Sequence, residues 1–150
     1  MTVAVAEEKH VLRLERDFRA PVEKVFAAFT NPKHFSQWWG PEGSQAADII
    51  MDVSEGGRWH TAMVNKVGEK HTVEGVYKVI APFGRLVFTW RWVEGGVGSE
   101  ETTVELTFTS IEGGTRLNLR HGVFDSEEGA PAHNMGWTSA LNSLETFLAA

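Results

Sequence analysis

The sequence contains no cysteine. Disulfide staples and thiolate chemistry are thereby excluded, and a cytoplasmic location is the expectation. No run of 18 or more apolar residues occurs, which excludes a membrane-spanning helix. The opening MTVAVAEEKH lacks both the basic start and the long apolar core of a signal peptide. Positive charge is scarce: 14 Lys and Arg stand against 20 Asp and Glu, for a net charge of −6. No basic stripe interrupts that balance, so nucleic acid is not an expected partner. No P-loop and no Gly-x-Ser-x-Gly elbow is present. Gly96-x-Gly98 falls in a hairpin loop and is not a dinucleotide fingerprint. Asp125-Ser126-Glu127-Glu128 lacks calcium-loop spacing. The six histidines are far apart and none forms a short helical pair, so neither a metal nor a cofactor is expected. Tyrosine is nearly missing too, with one residue against 6 Trp and 9 Phe.

What the chain does have is one long amphipathic helix at its end. Trp137, Leu141, Leu144 and Leu148 recur at i, i+4, i+7 and i+11, with Pro131 suited to a first helical position. The opposite face carries Thr138, Asn142, Ser143, Glu145 and Thr146. Almost everything before it reads as strand. Residues 1–9 read as a flexible tail, and residues 10–150 as one domain. Val11 to Phe18 alternates, with Leu12, Leu14, Arg16 and Phe18 on one face. Pro21 opens a short helix that carries Val25, Phe26 and Phe29. Asn31-Pro32 caps a second, which ends at Trp38-Trp39-Gly40-Pro41.

Six strands then follow: 47–53, 58–64, 71–80, 85–93, 102–110 and 115–123, with Gly113-Gly114 as a hairpin signal. Alternation assigns inward faces to Trp59, Thr61 and Met63. It does the same for Val73, Gly75, Tyr77 and Val79, and for Leu86, Phe88, Trp90 and Trp92. Val104, Leu106, Phe108, Leu117, Leu119 and His121 complete the set. Arg85, Thr89, Arg91, Glu105, Asn118 and Arg120 face water. A lone helix must bury its stripe against a sheet. The expected fold is therefore α+β: a curved antiparallel sheet of six to seven strands wrapped around a long C-terminal helix.

Several motifs sharpen this. They are Arg16-x-Phe18-x-Ala20-Pro21 followed by Val25-Phe26; Trp38-Trp39; Asp52-x-x-x-Gly56-Gly57-x-Trp59; Gly75-x-Tyr77; Arg85 to Trp90; and His133-x-x-Gly136-Trp137-x-x-x-Leu141-x-x-Leu144. With this element order the chain resembles the helix-grip fold of the START-like superfamily. Within it, the chain is similar to the family named after the activator of Hsp90 ATPase. The resemblance, together with the aromatic inward face, implies binding of a small hydrophobic or aromatic molecule in a cavity between sheet and helix. It also brings two alternatives: an aromatase/cyclase- or hydrolase-like enzyme, and a co-chaperone-like protein acting on Hsp90. The co-chaperone's N-terminal domain has no counterpart in 150 residues. An open sheet leaves edges, so monomer and homodimer both stand.

The candidate ligand-binding residues are Trp38, Trp39, Trp59, Met63, Tyr77, Phe88, Trp90, Trp92, His121, Trp137 and Arg16. Trp90 and Trp92 emerge on one face of a strand. Rigid rings around a concave sheet leave gaps, and the alternative is that they pack together as core. Trp38 and Trp39 point about 100° apart on a helix, so one anchors it while the other forms a cavity lip. An inward Arg16 needs a partner: Glu74, a snorkelling path to water, or an acidic ligand. His121 is either a ligand anchor or a satisfied structural histidine. For the enzyme reading, the expected acid/base pair is His121 with Glu74 or Tyr77. His133 either fixes the helix start or touches ligand. Gly136 inside the helix suggests close packing against a strand, or access to the cavity.

Overall fold

The computed structural model describes residues 2–4, 10–95 and 99–149. The chain forms β1 (Thr2–Ala4), β2 (Val11–Phe18), α1 (Val22–Thr30) and α2 (Pro32–Phe35). There follow β3 (Gln45–Met51), β4 (Arg58–Val64), β5 (Lys70–Ala81) and β6 (Arg85–Trp92), then β7 (Thr102–Ile111), β8 (Gly114–Gly122) and α3 (Gly129–Ala149). The sheet has eight strands in the order β1-β2-β8-β7-β6-β5-β4-β3. Every neighbouring pair is antiparallel. From β3 to β8 each strand pairs with the next in sequence. Only α1 and α2 make a long connection, from β2 near one edge to β3 at the other. Thr2–Ala4 pairs with β2 where a tail is expected; residues 1 and 5–9, the rest of that tail, lie outside the described residues. So do residues 96–98 and the Gly96-x-Gly98 reading.

Local chemistry explains the helix ends. The Asn31 side chain accepts from the backbone N–H of Lys33 at 2.9 Å, satisfying a donor that the first turn leaves free. Pro32 follows at the first position, where it has no N–H to lose. Along α3, Trp137, Ala140, Leu141, Leu144 and Leu148 are buried against the sheet. Each large side chain there contributes about 1.5–3 kcal/mol by leaving water. Leu12, Leu14 and Phe18 of β2 and Val104, Leu106, Phe108, Leu117 and Leu119 of the central strands meet them in one core.

Three inward or turn assignments are corrected. A bulge shifts register between Tyr77 and Val79, so Val79 pairs with Val87 on the outer face. Ile80 takes the inward place against the core. Thr89 is buried, not solvated. Its hydroxyl accepts from the Val76 N–H at 2.8 Å, and its carbonyl accepts from the Trp59 indole at 3.0 Å. Gly75 permits this distortion: a Cβ there would lie 1.9 Å from the Thr89 carbonyl oxygen. Finally, Gly114 is the first residue of β8 and pairs with Ile111, so the hairpin turn is Glu112-Gly113.

Candidate functional site

The helix does not close completely on the sheet. An opening of about 250 Å³ remains between α3, the end of α2 and strands β4 to β6. Four tryptophans border it: Trp39, Trp90, Trp92 and Trp137. Trp90 is the hub, with ring centroids 5.8 Å from Trp39, 5.4 Å from Trp92 and 5.4 Å from Trp137. Trp39 and Trp137 meet edge to face at 5.3 Å. Such edge-to-face contacts add about 0.5–1.5 kcal/mol each beyond burial and make the wall stiff. Met63 of β4 borders the opening as well.

Five of the eleven candidate residues thus share one cleft: Trp39, Met63, Trp90, Trp92 and Trp137. The other six do not border it. Trp38 donates its indole N–H to the Ala28 carbonyl at 2.9 Å and packs edge to face on Phe29, anchoring α1 to the turn after α2. Trp59, Tyr77 and Phe88 lie on the other side of Trp39, around a void of about 20 Å³. That space is of the order of one water and holds no guest. Arg16 is far along the helix. It donates to Asn142 Oδ1 at 2.6 Å and pairs with Glu145 at 3.2 Å, not with Glu74, which pairs with Arg91 at 2.6 Å. Its carboxylate partner comes from the helix, which strand alternation alone cannot reveal.

His121 is fully buried behind the cleft wall. Its Nδ1 accepts from the Trp137 indole at 3.1 Å, so its proton sits on Nε2 and is donated to Thr102 Oγ1 at 2.8 Å. The Thr102 hydroxyl in turn donates to the Trp90 carbonyl at 3.3 Å. His133 is wired in the same way. Its Nε2 accepts from the Trp92 indole at 2.8 Å and its Nδ1–H donates to the Gly129 carbonyl at 2.8 Å. Burial, and second the proximity of His133, hold His121 well below the ordinary histidine value. Burial likewise lowers His133, against the opposing pull of the Gly129 carbonyl and Glu100. Both rings are therefore neutral, with both nitrogens occupied. Neither has a lone pair free for a guest. The expected pairing of His121 with Glu74 or Tyr77 does not form, and burial pushes the Tyr77 phenol above its usual range. Among the described residues no group of three His, Asp or Glu side chains is placed to hold a metal ion.

Sequence reasoning passed over several bordering residues: Gly40, Pro41, His71, Glu94 and Ala132. Two of them carried a usable signal. His71 precedes Val73 by two, and it pairs with Met63 across β4–β5. Glu94 follows Trp92 by two, the spacing that puts Trp90 and Trp92 on one face, and lies in the turn just past the end of β6. Its carboxylate accepts from the Thr72 N–H at 2.8 Å. Burial alone would raise its pKa; the Thr72 hydrogen bonds, its own backbone N–H and the nearby His71 together hold the group below its ordinary value, ionised. Gly40 has φ +105°, which ends the α2 turn and brings Pro41 to the rim. Gly136 also borders the opening, and a Cβ built on it would meet no atom within 4 Å. Packing against a strand is therefore not its role. No helix of the described chain is long and apolar enough to cross a membrane.

This architecture has clear relatives. Residues 19–149 match the family described as Activator of Hsp90 ATPase homolog 1-like protein. The AHSA1 protein of Silicibacter pomeroyi is 33% identical, superposes with a TM-score of 0.82, and the match covers 93% of this chain and 97% of that one. A protein of Chromobacterium violaceum is 25% identical with a TM-score of 0.84, covering 95% and 99% of the two chains. One from Rhodobacter sphaeroides, at 23% identity and a TM-score of 0.85 over 99% and 98%, shares the fold. A search of curated proteins finds no match. With its helix-grip sheet and a family match over most of its length, the chain belongs to the Activator of Hsp90 ATPase homolog 1-like family of the START-like superfamily.

Proposed function

We propose that this protein binds a small apolar molecule, flat enough to lie against indole rings, in the cleft between α3 and strands β4–β6. The observation that carries the reading is Gly136. A glycine in a helix interior costs about 1 kcal/mol relative to alanine. Here no neighbour demands it, because a methyl group would enter open space. The space itself is what the glycine preserves. Filled at the interior density of about 0.74, a volume of 250 Å³ takes roughly ten non-hydrogen atoms, a single bicyclic ring in size.

Apolar burial supplies the affinity, and a stiff wall limits the ordering cost of binding. The enzyme reading loses support because both buried histidines are saturated. The co-chaperone reading rests on the family's description alone. Binding therefore stands ahead of both.

Indole and naphthalene are suitable probes, followed by calorimetry and by the fluorescence of the cleft tryptophans. Saturable one-to-one binding that Gly136→Leu weakens is the expected result. An unchanged signal across a panel of such molecules would overturn the reading.

A further inference from the structure

The chemistry of the cleft wall goes further than "apolar". All four indole N–H groups are unavailable to a guest. Trp92 and Trp137 donate to His133 and His121. The N–H groups of Trp39 and Trp90 are buried with no acceptor and no access to the opening. What the rings offer is therefore carbon: the electron-rich faces and the C–H edges. Among the described residues no lysine or arginine borders the opening. An anionic guest would meet neither a cation nor a side-chain N–H from these rings. Among the described residues the one carboxylate on the rim is Glu94, held in place by the Thr72 N–H.

Electron-rich rings and a fixed carboxylate are the conditions for binding a positive charge, and Lys70, which the Glu94 charge also reaches, is engaged by Asp48 outside the opening. The kind of cation follows from acceptor supply. A primary ammonium brings three N–H donors; His121 and His133 are already occupied, which leaves the Glu94 carboxylate and His71 as the side-chain acceptors at the opening. A quaternary or tertiary ammonium needs none or one.

Resting on the binding reading above, we infer that the cleft recognises a trialkylammonium or protonated tertiary amine on a small apolar body, seated among Trp39, Trp90, Trp92 and Trp137 with Glu94 as counter-charge.

Choline, its neutral carbon isostere 3,3-dimethyl-1-butanol, the anionic 3,3-dimethylbutyrate and indole, titrated separately by calorimetry at low salt, test this. Choline is expected to bind about tenfold or more tighter than the isostere. The butyrate is expected not to bind. Glu94→Gln should shrink the ratio of choline to isostere by roughly threefold, the scale of one exposed charge. If indole binds but choline does no better than the isostere, the ammonium inference is overturned and the apolar cleft stands. If none of the four binds, both fall.

Discussion

Replacing Gly136 gives a test in which stability and binding move in opposite directions. Gly136 lies near the middle of the 21-residue α3, so Gly136→Ala should gain about 1 kcal/mol from backbone entropy alone. Nothing offsets that gain, because the new methyl meets no atom within 4 Å. For a domain of this size, 1 kcal/mol corresponds to a rise of about 2–4 °C in Tm. Gly136→Leu goes further. Its side chain projects into an opening of only about 250 Å³, covering apolar wall and leaving too little room for a bicyclic guest. Its Tm should also rise, while indole binding weakens by roughly tenfold or more, about 1.4 kcal/mol. Thermal unfolding by circular dichroism and calorimetric titration read the two effects separately. A variant that is more stable and worse at binding identifies a position kept for function. A lower Tm for Gly136→Ala would show that the backbone needs glycine there, and the argument from open space would be wrong.

Other expectations follow from the buried polar network. Both His121 and His133 have folded-state values below their unfolded ones. The unfolded chain therefore takes up more protons below about pH 6.5, and stability should fall by up to ~1.4 kcal/mol per pH unit for each histidine. Urea midpoints that stay flat from pH 7 to pH 5 would contradict this. Thr102→Val strands the His121 Nε2–H in a buried site and should cost about 1–3 kcal/mol, measured by chemical denaturation. A loss under 0.5 kcal/mol (roughly the noise of a surface change) would mean the chain of hydrogen bonds is not formed. Arg16→Met removes the contacts to Asn142 and Glu145, which lie away from the cleft. It should alter stability while leaving indole affinity within about twofold, since 0.4 kcal/mol is about that factor. A tenfold loss of affinity would return Arg16 to the binding site.

Much of the framework was readable from residue order. Strict alternation set β2 and β4 to the residue, because a one-residue slip would expose every apolar side chain. The Asn31-Pro32 cap was equally plain, since it depends only on neighbours in the chain. Strand alternation also put Trp90 and Trp92 on a common face. It did not predict the bulge that turns Val79 outward, which shows only in the pairing of β5 with β6, nor the close approach of Gly75 to the Thr89 carbonyl in the same pair. Nor did it separate the eleven candidate residues into those that border the cleft and those that pack behind it. Trp39 and Trp59 are alike as letters; one ends beside an opening and the other beside a void of about 20 Å³.

Periodicity and capping are local quantities, so the sequence by itself determined most of the elements and their inward faces, β1, Val79 and Thr89 excepted, and the need to cover a sheet with one helix. How closely that helix seats is a balance of contacts among distant side chains. Only the tertiary structure decided that a gap remains at Gly136. The same is true of which indole N–H groups are consumed by His121 and His133, and of the Glu94 carboxylate at the rim. Each of these depends on atoms brought together from different strands and the helix, whose distances no spacing along the chain encodes.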